Sequence, residues 1–237
     1  MVSVIGHRGA AGVMPENTLK GFRYALDLGV DVVECDVHWT RDRQLVVIHD
    51  STVDRTTGGC GAVGALTLAR IRRLDAGDGE TVPTLDEVLR LVRGKALLEV
   101  EMKGVGVEQA TVAMVDAQGM ADAVTFTSND LARLARVRDL GRHYRLGAIF
   151  FDPSVFDLAC AAKLDVAAIG VHYRNLSLRT LEEAHARGLA VRAWNPDTRQ
   201  EQRAMLALGV DGVATNRPDL LIAELQRLEN HHIEFDW

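Results

Sequence analysis

Leu26-Asp27-Leu28-Gly29-Val30-Asp31-Val32-Val33 ends a helix and starts a strand, and Leu206-Ala207-Leu208-Gly209-Val210-Asp211-Gly212-Val213 does the same much later in the chain. In both, apolar residues at helical spacing run into a glycine and then into a β-branched run. Glycine adopts the left-handed conformation that closes a helix and turns the chain back. Ala186-Arg187-Gly188 leads likewise into Leu189-Ala190-Val191, and Gly119 into Asp122-Ala123-Val124. A junction that recurs in this way argues for serial β/α units around a parallel sheet.

Helix starts agree with that reading. Thr18 precedes Leu19, Phe22 and Leu26, which share one face. Thr84 with Glu87 makes a capping-box pattern ahead of Leu85, Val88, Leu89 and Val92. Asp197 and Gln200 repeat the pattern before Met205 and Leu206, and Pro218 opens a last helix through Leu221 and Leu225. Strands are predicted near 2–6, 31–36, 96–101, 122–126, 145–149, 166–170, 189–194 and 211–214. Leu45-Val46-Val47-Ile48 has no helix before it, so it reads as the return arm of a hairpin that extends the second strand. Residues 50–83 form a glycine-rich excursion with one short helical pattern, Leu68, Ile71 and Leu74. The excursion is too long for an ordinary loop and is expected to cover an active-site mouth. An open doubly wound sheet is the rival. Eight units with no central crossover favour an α/β fold, a TIM-like (β/α)8 barrel with a small insertion after the second barrel strand.

A length of 237 residues fits a single catalytic barrel domain spanning 1–237. The chain is 47% hydrophobic and 25% charged, which excludes general disorder. Its net charge of −6 argues against a nucleic-acid partner or an anionic-membrane footprint. Cys35, Cys60 and Cys160 are too few and too scattered for a disulfide scaffold or a clustered zinc site. No apolar run is long enough for stable membrane insertion, and MVSVIGHRGA lacks the pattern of a secretory signal. The expected location is cytoplasmic, and the sequence leaves a homo-oligomer open.

Polar groups interrupt the predicted strand ends. Glu34 and Asp36 lie two apart and so point to one side, as do Glu99 and Glu101, with Lys103 two further on. Inward carboxylates are costly unless charge is supplied to them. Glu34, Asp36 and Glu101 form a reasonable tripod for a hard divalent cation, calcium or magnesium. The bland alternative is a structural network with Arg8 and Lys103, and the choice between Glu99 and Glu101 depends on register. His7 and His49 each follow a β-branched apolar run and should emerge at the same rim. Two imidazoles flanking a phosphate can divide proton transfer between them. A lone histidine more often caps a strand or meets a carboxylate; two beside an acidic cluster reverse that preference. Trp194 ends a strand, where it either stacks on a small substrate or packs at the rim. Asn17 is expected to accept a local hydrogen bond at a helix start, and Glu16 beside it reads equally well as a solvated side chain. The closing His231–Trp237 is a mixed tail, expected to pack through Phe235 and Trp237 rather than to ligate a metal.

Taken together, His7-Arg8-Gly9, Pro15-Glu16-Asn17-Thr18, Glu34-Cys35-Asp36-Val37-His38, Val47-Ile48-His49-Asp50, Arg55-Thr56-Thr57-Gly58, Pro83-Thr84-Leu85-Asp86-Glu87, Glu101-Met102-Lys103 and Asp211–Pro218 resemble the glycerophosphodiester phosphodiesterase family. The resemblance implies a TIM-like barrel that hydrolyses a small phosphodiester to sn-glycerol 3-phosphate and an alcohol with one divalent cation, Ca2+ or Mg2+. It makes His7 and His49 the catalytic acid/base pair and Glu34, Asp36 and Glu101 the metal ligands, choosing Glu101 over Glu99. Arg8 and Lys103 become phosphate or substrate contacts, with Trp194 beside them. It allows attack by the substrate's own glycerol hydroxyl, through a cyclic phosphate, or by water. One departure is visible: Trp194-Asn195-Pro196-Asp197 stands where members commonly carry Trp-Thr-Val-Asn. Proline removes a donor there, and Asp197 is expected to cap the next helix. The rival functions are a lysophospholipase D or other phospholipase-like barrel, and a non-enzymatic phosphodiester-binding protein. The absence of a sustained apolar loop favours a deacylated substrate.

Overall fold

The computed structural model describes residues 2–233, with side chains through residue 230. At the two quoted junctions Gly29 and Gly209 close helices α1 (Leu19–Leu28) and α8 (Arg199–Leu208) at φ 83° and 88°. A side chain is strained in that region. The aspartate two residues later explains the rest of the repeat. The Asp31 N–H donates to the Val4 carbonyl while its carboxylate accepts the Val4 N–H at 2.8 Å. Asp211 makes the same pair of bonds to Val191, its carboxylate at 2.7 Å. Each aspartate ties the foot of its own strand to the foot of its neighbour.

The parallel strands are β1 (Ser3–Gly6), β2 (Val32–Trp39), β4 (Leu97–Met102), β5 (Val124–Ser128), β6 (Arg145–Phe150), β7 (Ala168–His172), β8 (Ala190–Trp194) and β9 (Gly212–Thr215). β1 pairs with both β2 and β9, which closes the ring and excludes the open doubly wound sheet. β3 (Leu45–Val47) returns antiparallel along β2, with Val37 opposite Val47, as the hairpin reading expected. Two strands start two residues later than predicted, and the others within one residue of the prediction. Residues 121–123 form a 3-10 turn, so β5 begins at Val124. Asp165 turns the chain at φ 58° after α6 (Val155–Lys163), so β7 begins at Ala168. The α8 cap is Thr198 with Glu201, one residue after the expected Asp197 and Gln200.

Alternation along the strands sorts the core. Val33, Cys35, Leu98, Val100, Phe126 and Leu146 are buried in the main apolar cluster with helical residues such as Phe22, Leu89 and Leu134. The alternate positions, Glu34 and Asp36 on β2 and Glu99 and Glu101 on β4, face the barrel interior. Val46 of β3 and, beyond that strand, Ile48, Val53, Val63, Ile71, Ala76 and Val82 form a separate small core. The short helix α2 (Leu68–Ile71) contributes Ile71 to it. The excursion is thus packed on its own apolar centre. Phe235 and Trp237 of the tail lie outside the described residues.

Candidate active site

The βα loops all open at one end of the barrel, and there the strand tips bring the acidic residues together. One carboxylate oxygen each from Glu34, Asp36 and Glu101 lie within 4.8 Å of one another. Asp36 is fully buried. Its Oδ2 accepts from Asn17 Nδ2 at 2.9 Å, while its Oδ1 has no hydrogen-bond partner. An orphaned, buried carboxylate oxygen inside an all-oxygen donor set fits a hard divalent cation. Burial, and then the nearby Asp36 charge, hold the Glu34 carboxyl well above its usual range and push Glu101 up to about 7. Burial would also raise Asp36, but Arg8, His49 and Lys103 outweigh it and hold the group below its ordinary value. Crowded acids of this kind repel one another until a cation is supplied.

Arg8 and Asn17 are held in the left-handed region, at φ 49° and 55°, and each is anchored to the cluster. The Arg8 N–H donates to Glu34 Oε2 at 2.8 Å, and its Nε lies 3.4 Å from Asp36. Asn17 therefore contacts Asp36 and not a local helix-start group, which corrects the sequence expectation. Lys103 Nζ donates to Glu101 at 2.9 Å and approaches Asp36 at 3.8 Å.

His7 and His49 line the same cavity of about 240 Å3, together with Glu34, Glu101, Arg8, Lys103 and Trp194. Their rings are oriented by different partners. Asn216 Nδ2 donates to Asp197 at 2.7 Å, which leaves its Oδ1 to accept from His7 Nδ1 at 2.7 Å. His7 Nε2 is then the unprotonated nitrogen, 3.9 Å from Glu34. Burial, reinforced by Arg8, lowers His7 to about 4, so its ring is neutral near pH 7. His49 Nδ1 donates to Asp50 at 2.6 Å. Arg55 holds Asp50 well below the usual carboxylate range and grips Glu16 through bonds of 2.7 and 2.8 Å. Glu16 bonds Arg8 in turn at 3.0 Å, so it is not a solvated bystander.

Alternation turns both Glu99 and Glu101 inward, and depth separates them. Glu101 joins the cluster at the rim, while Glu99 sits a step deeper and pairs with Arg192 from β8 on the far side of the ring. Asp197 does not cap α8. It accepts from Thr215 Oγ1, the Asn216 N–H and Asn216 Nδ2, bracing the last strand against the His7 side of the cavity.

Over residues 7–220 the chain matches the model of the glycerophosphoryl diester phosphodiesterase family. The chain belongs to that family. It is 34% identical over 232 residues to a glycerophosphodiester phosphodiesterase of Caldanaerobacter subterraneus subsp. tengcongensis, covering 92% of this chain and 96% of the relative. A glycerophosphodiester phosphodiesterase of Bacillus altitudinis is 30% identical over 240 residues, with 92% and 96% covered. Among solved structures, a glycerophosphodiester phosphodiesterase of Agrobacterium tumefaciens superimposes with a TM-score of 0.82 at 29% identity, covering 94% of this chain and all of that one. An Oleispira antarctica phosphodiesterase, solved with the product sn-glycerol-3-phosphate, gives 0.88 at 27% identity over 94% and 96% of the two chains. Family membership and the acidic cluster together make this glycerophosphoryl diester phosphodiesterase a metal-dependent hydrolase of a small phosphodiester. No helix among the described residues is long and apolar enough to cross a membrane.

Asp50, Arg55, Asn216 and Arg192 carry no individual expectation from the sequence, and Asp197 was expected at a helix cap, yet all five support the site. Asp50 and Arg55 follow His49 closely, so their charge pattern was a usable signal. Asn216 lies in the Asp211–Pro218 segment that carries the resemblance, whereas Arg192 reaches Glu99 only through closure of the ring, and nothing local marks it.

Proposed function

We propose that the chain hydrolyses a glycerophosphodiester to sn-glycerol 3-phosphate and an alcohol, with His7 and His49 exchanging protons at the phosphorus. Glu34, Asp36 and Glu101 would hold one divalent cation, calcium or magnesium. One observation carries this reading: two imidazoles, each tied through Nδ1, share a cavity with a three-carboxylate cluster. The relative solved with sn-glycerol-3-phosphate supports the product.

When bound, the cation supplies charge neutralisation to the phosphoryl oxygens. The chain's own residues do the rest. Arg8 and Lys103 add positive charge on the phosphate side of the cavity. His7, neutral and with Nε2 facing the cluster, accepts the proton of the attacking hydroxyl, either the substrate's own or that of water. His49 returns a proton to the leaving alcohol, its ring oriented by the Asp50 carboxylate at Nδ1. Trp194 offers an aromatic face to the substrate's carbon skeleton. The whole chain acts as one catalytic domain, with the 50–83 segment as a lid-like wall beside His49. Glycerol 3-phosphate release from a panel of glycerophosphodiesters, measured with chelator, calcium and magnesium separately, tests the proposal. Undiminished release in chelator, or alcohol release without glycerol 3-phosphate, would overturn it.

A further inference from the structure

We infer that the head group leaves across the groove beyond His49, and that Arg133 makes this groove a seat for a head group carrying an anion, a carboxylate or a phosphate. This rests on reading the cavity as a glycerophosphodiester hydrolase. The two histidines open onto separate grooves at the rim. His7 lines one with Asn195, Asn216 and Arg217, and His49 lines the other, of about 430 Å3, with His38, Ser51 and Arg133. In a displacement at phosphorus the attacking and leaving oxygens stand roughly in line, on opposite sides. With His7 accepting the proton of the attacking hydroxyl and His49 protonating the leaving oxygen, the head group falls on the His49 side. His49, Lys103 and Asn129 line both the central cavity and this groove, so the two are continuous.

The charges lining the groove do not cancel. Asp50 is bonded to His49 through Oδ1 at 2.6 Å and to Arg55 through Oδ2 at 2.7 Å, and Lys103 is paired with Glu101 at 2.9 Å. Arg133 lacks a partner of that kind. It reaches from α5 (Leu131–Leu140) to the tip of β4, where its Nη1 donates to the Met102 and Gly104 carbonyls on either side of Lys103. Its nearest carboxylates among the described residues, Asp130 at 3.7 Å and Glu108 at 3.9 Å, stand beyond hydrogen-bond reach. Each is committed elsewhere, Asp130 to the Ala132 N–H at the start of α5 and Glu108 to Arg136 at 2.7 Å. The Arg133 side chain is only 14% exposed, so its charge is weakly screened. A guanidinium carries five N–H donors, and one nitrogen on neutral carbonyls leaves the others for a carboxylate or a phosphate. An ammonium or trimethylammonium head group would meet that charge with the same sign.

The chemistry is unchanged. The attacking oxygen gives up its proton and bonds to phosphorus, the bond from phosphorus to the head-group oxygen breaks, and that oxygen leaves with a proton. Glycerophosphoserine and glycerophosphoethanolamine test the seat, because their head groups differ by one carboxylate. Glycerophosphoinositol 4-phosphate against glycerophosphoinositol makes the same comparison for a phosphate. The readout is the ratio of kcat/KM within each pair, measured as glycerol 3-phosphate release with saturating cation. In the parent the anionic member of at least one pair should be favoured about tenfold or more, the worth of one hydrogen bond to a charged group, and the pair that shows it assigns the anion. R133Q should bring that ratio back to about one. Because Arg133 also ties α5 to β4, a second variant, N129D, adds negative charge at an exposed wall of the groove while leaving those carbonyl bonds in place, and it should lower the same ratio severalfold. Ratios near one for both pairs in the parent, or a preference that N129D or folded R133Q leaves unchanged, overturn this inference and leave the proposed function standing. No glycerol 3-phosphate from any of the four substrates overturns the proposed function instead.

Discussion

Replacing Glu101 by glutamine should make the chelated protein more stable, although it removes one member of the acidic cluster. Burial and the Asp36 charge raise the Glu101 carboxyl from 4.5 to about 7. An unfolded chain leaves this group near its ordinary value. Between those values the folded state binds more protons than the unfolded state, so this carboxyl lowers stability as pH rises, and its full cost is present above pH 7. A rise of that size corresponds to about 3 kcal/mol. At about 2–4 °C per kcal/mol in a chain of this length, the midpoint gap is roughly 6–12 °C. Glutamine does not titrate. In chelator at pH 8 E101Q should therefore melt above the parent, and the gap should close toward pH 4. A divalent cation at about a hundredfold its Kd should return roughly 2.7 kcal/mol to the parent and less to the variant. Thermal melts across pH, with and without cation, make the comparison. If E101Q were no more stable than the parent at pH 8 in chelator, or the gap did not vary with pH, the picture of mutually repelling acids awaiting a cation would be wrong.

Three further outcomes follow from the geometry. H7A and H49A should each lose on the order of 10²–10⁴-fold in kcat with unchanged melting behaviour, because each removes a proton-transfer group; steady-state kinetics on folded protein would expose near-parent turnover. E99Q should leave the cation titration close to that of the parent while E101Q weakens it, since Glu99 is paired with Arg192 outside the cluster; equal shifts in calorimetric titrations would contradict that separation. D211A should cost about 1–3 kcal/mol of stability by stranding the Val191 N–H, with kcat unchanged; a denaturant melt beside an activity assay reads both.

The fold was legible because its signals are local. Gly29 and Gly209 announce their helix ends by conformation, and Thr18 and Thr84 announce helix starts by hydrogen bonds made within three residues. The one misplaced cap, Asp197 for Thr198, arose because both residue types are good caps and only packing showed Asp197 committed to Thr215 and Asn216. The site was legible in its chemistry. Alternation alone put Glu34 beside Asp36 and turned Glu99 the same way as Glu101.

By itself the sequence determined the order of β/α units, the closed-barrel class, and the acids and histidines that gather at one rim. Those follow from periodicity and capping, which act over a few residues. Only the tertiary structure decided that Asn216 would orient His7, that Arg192 would cross the ring to Glu99, and that Arg55 would join Asp50 to Glu16. Such contacts join residues far apart in sequence, and they exist only once the first and last strands pair and set the depth of every inward side chain.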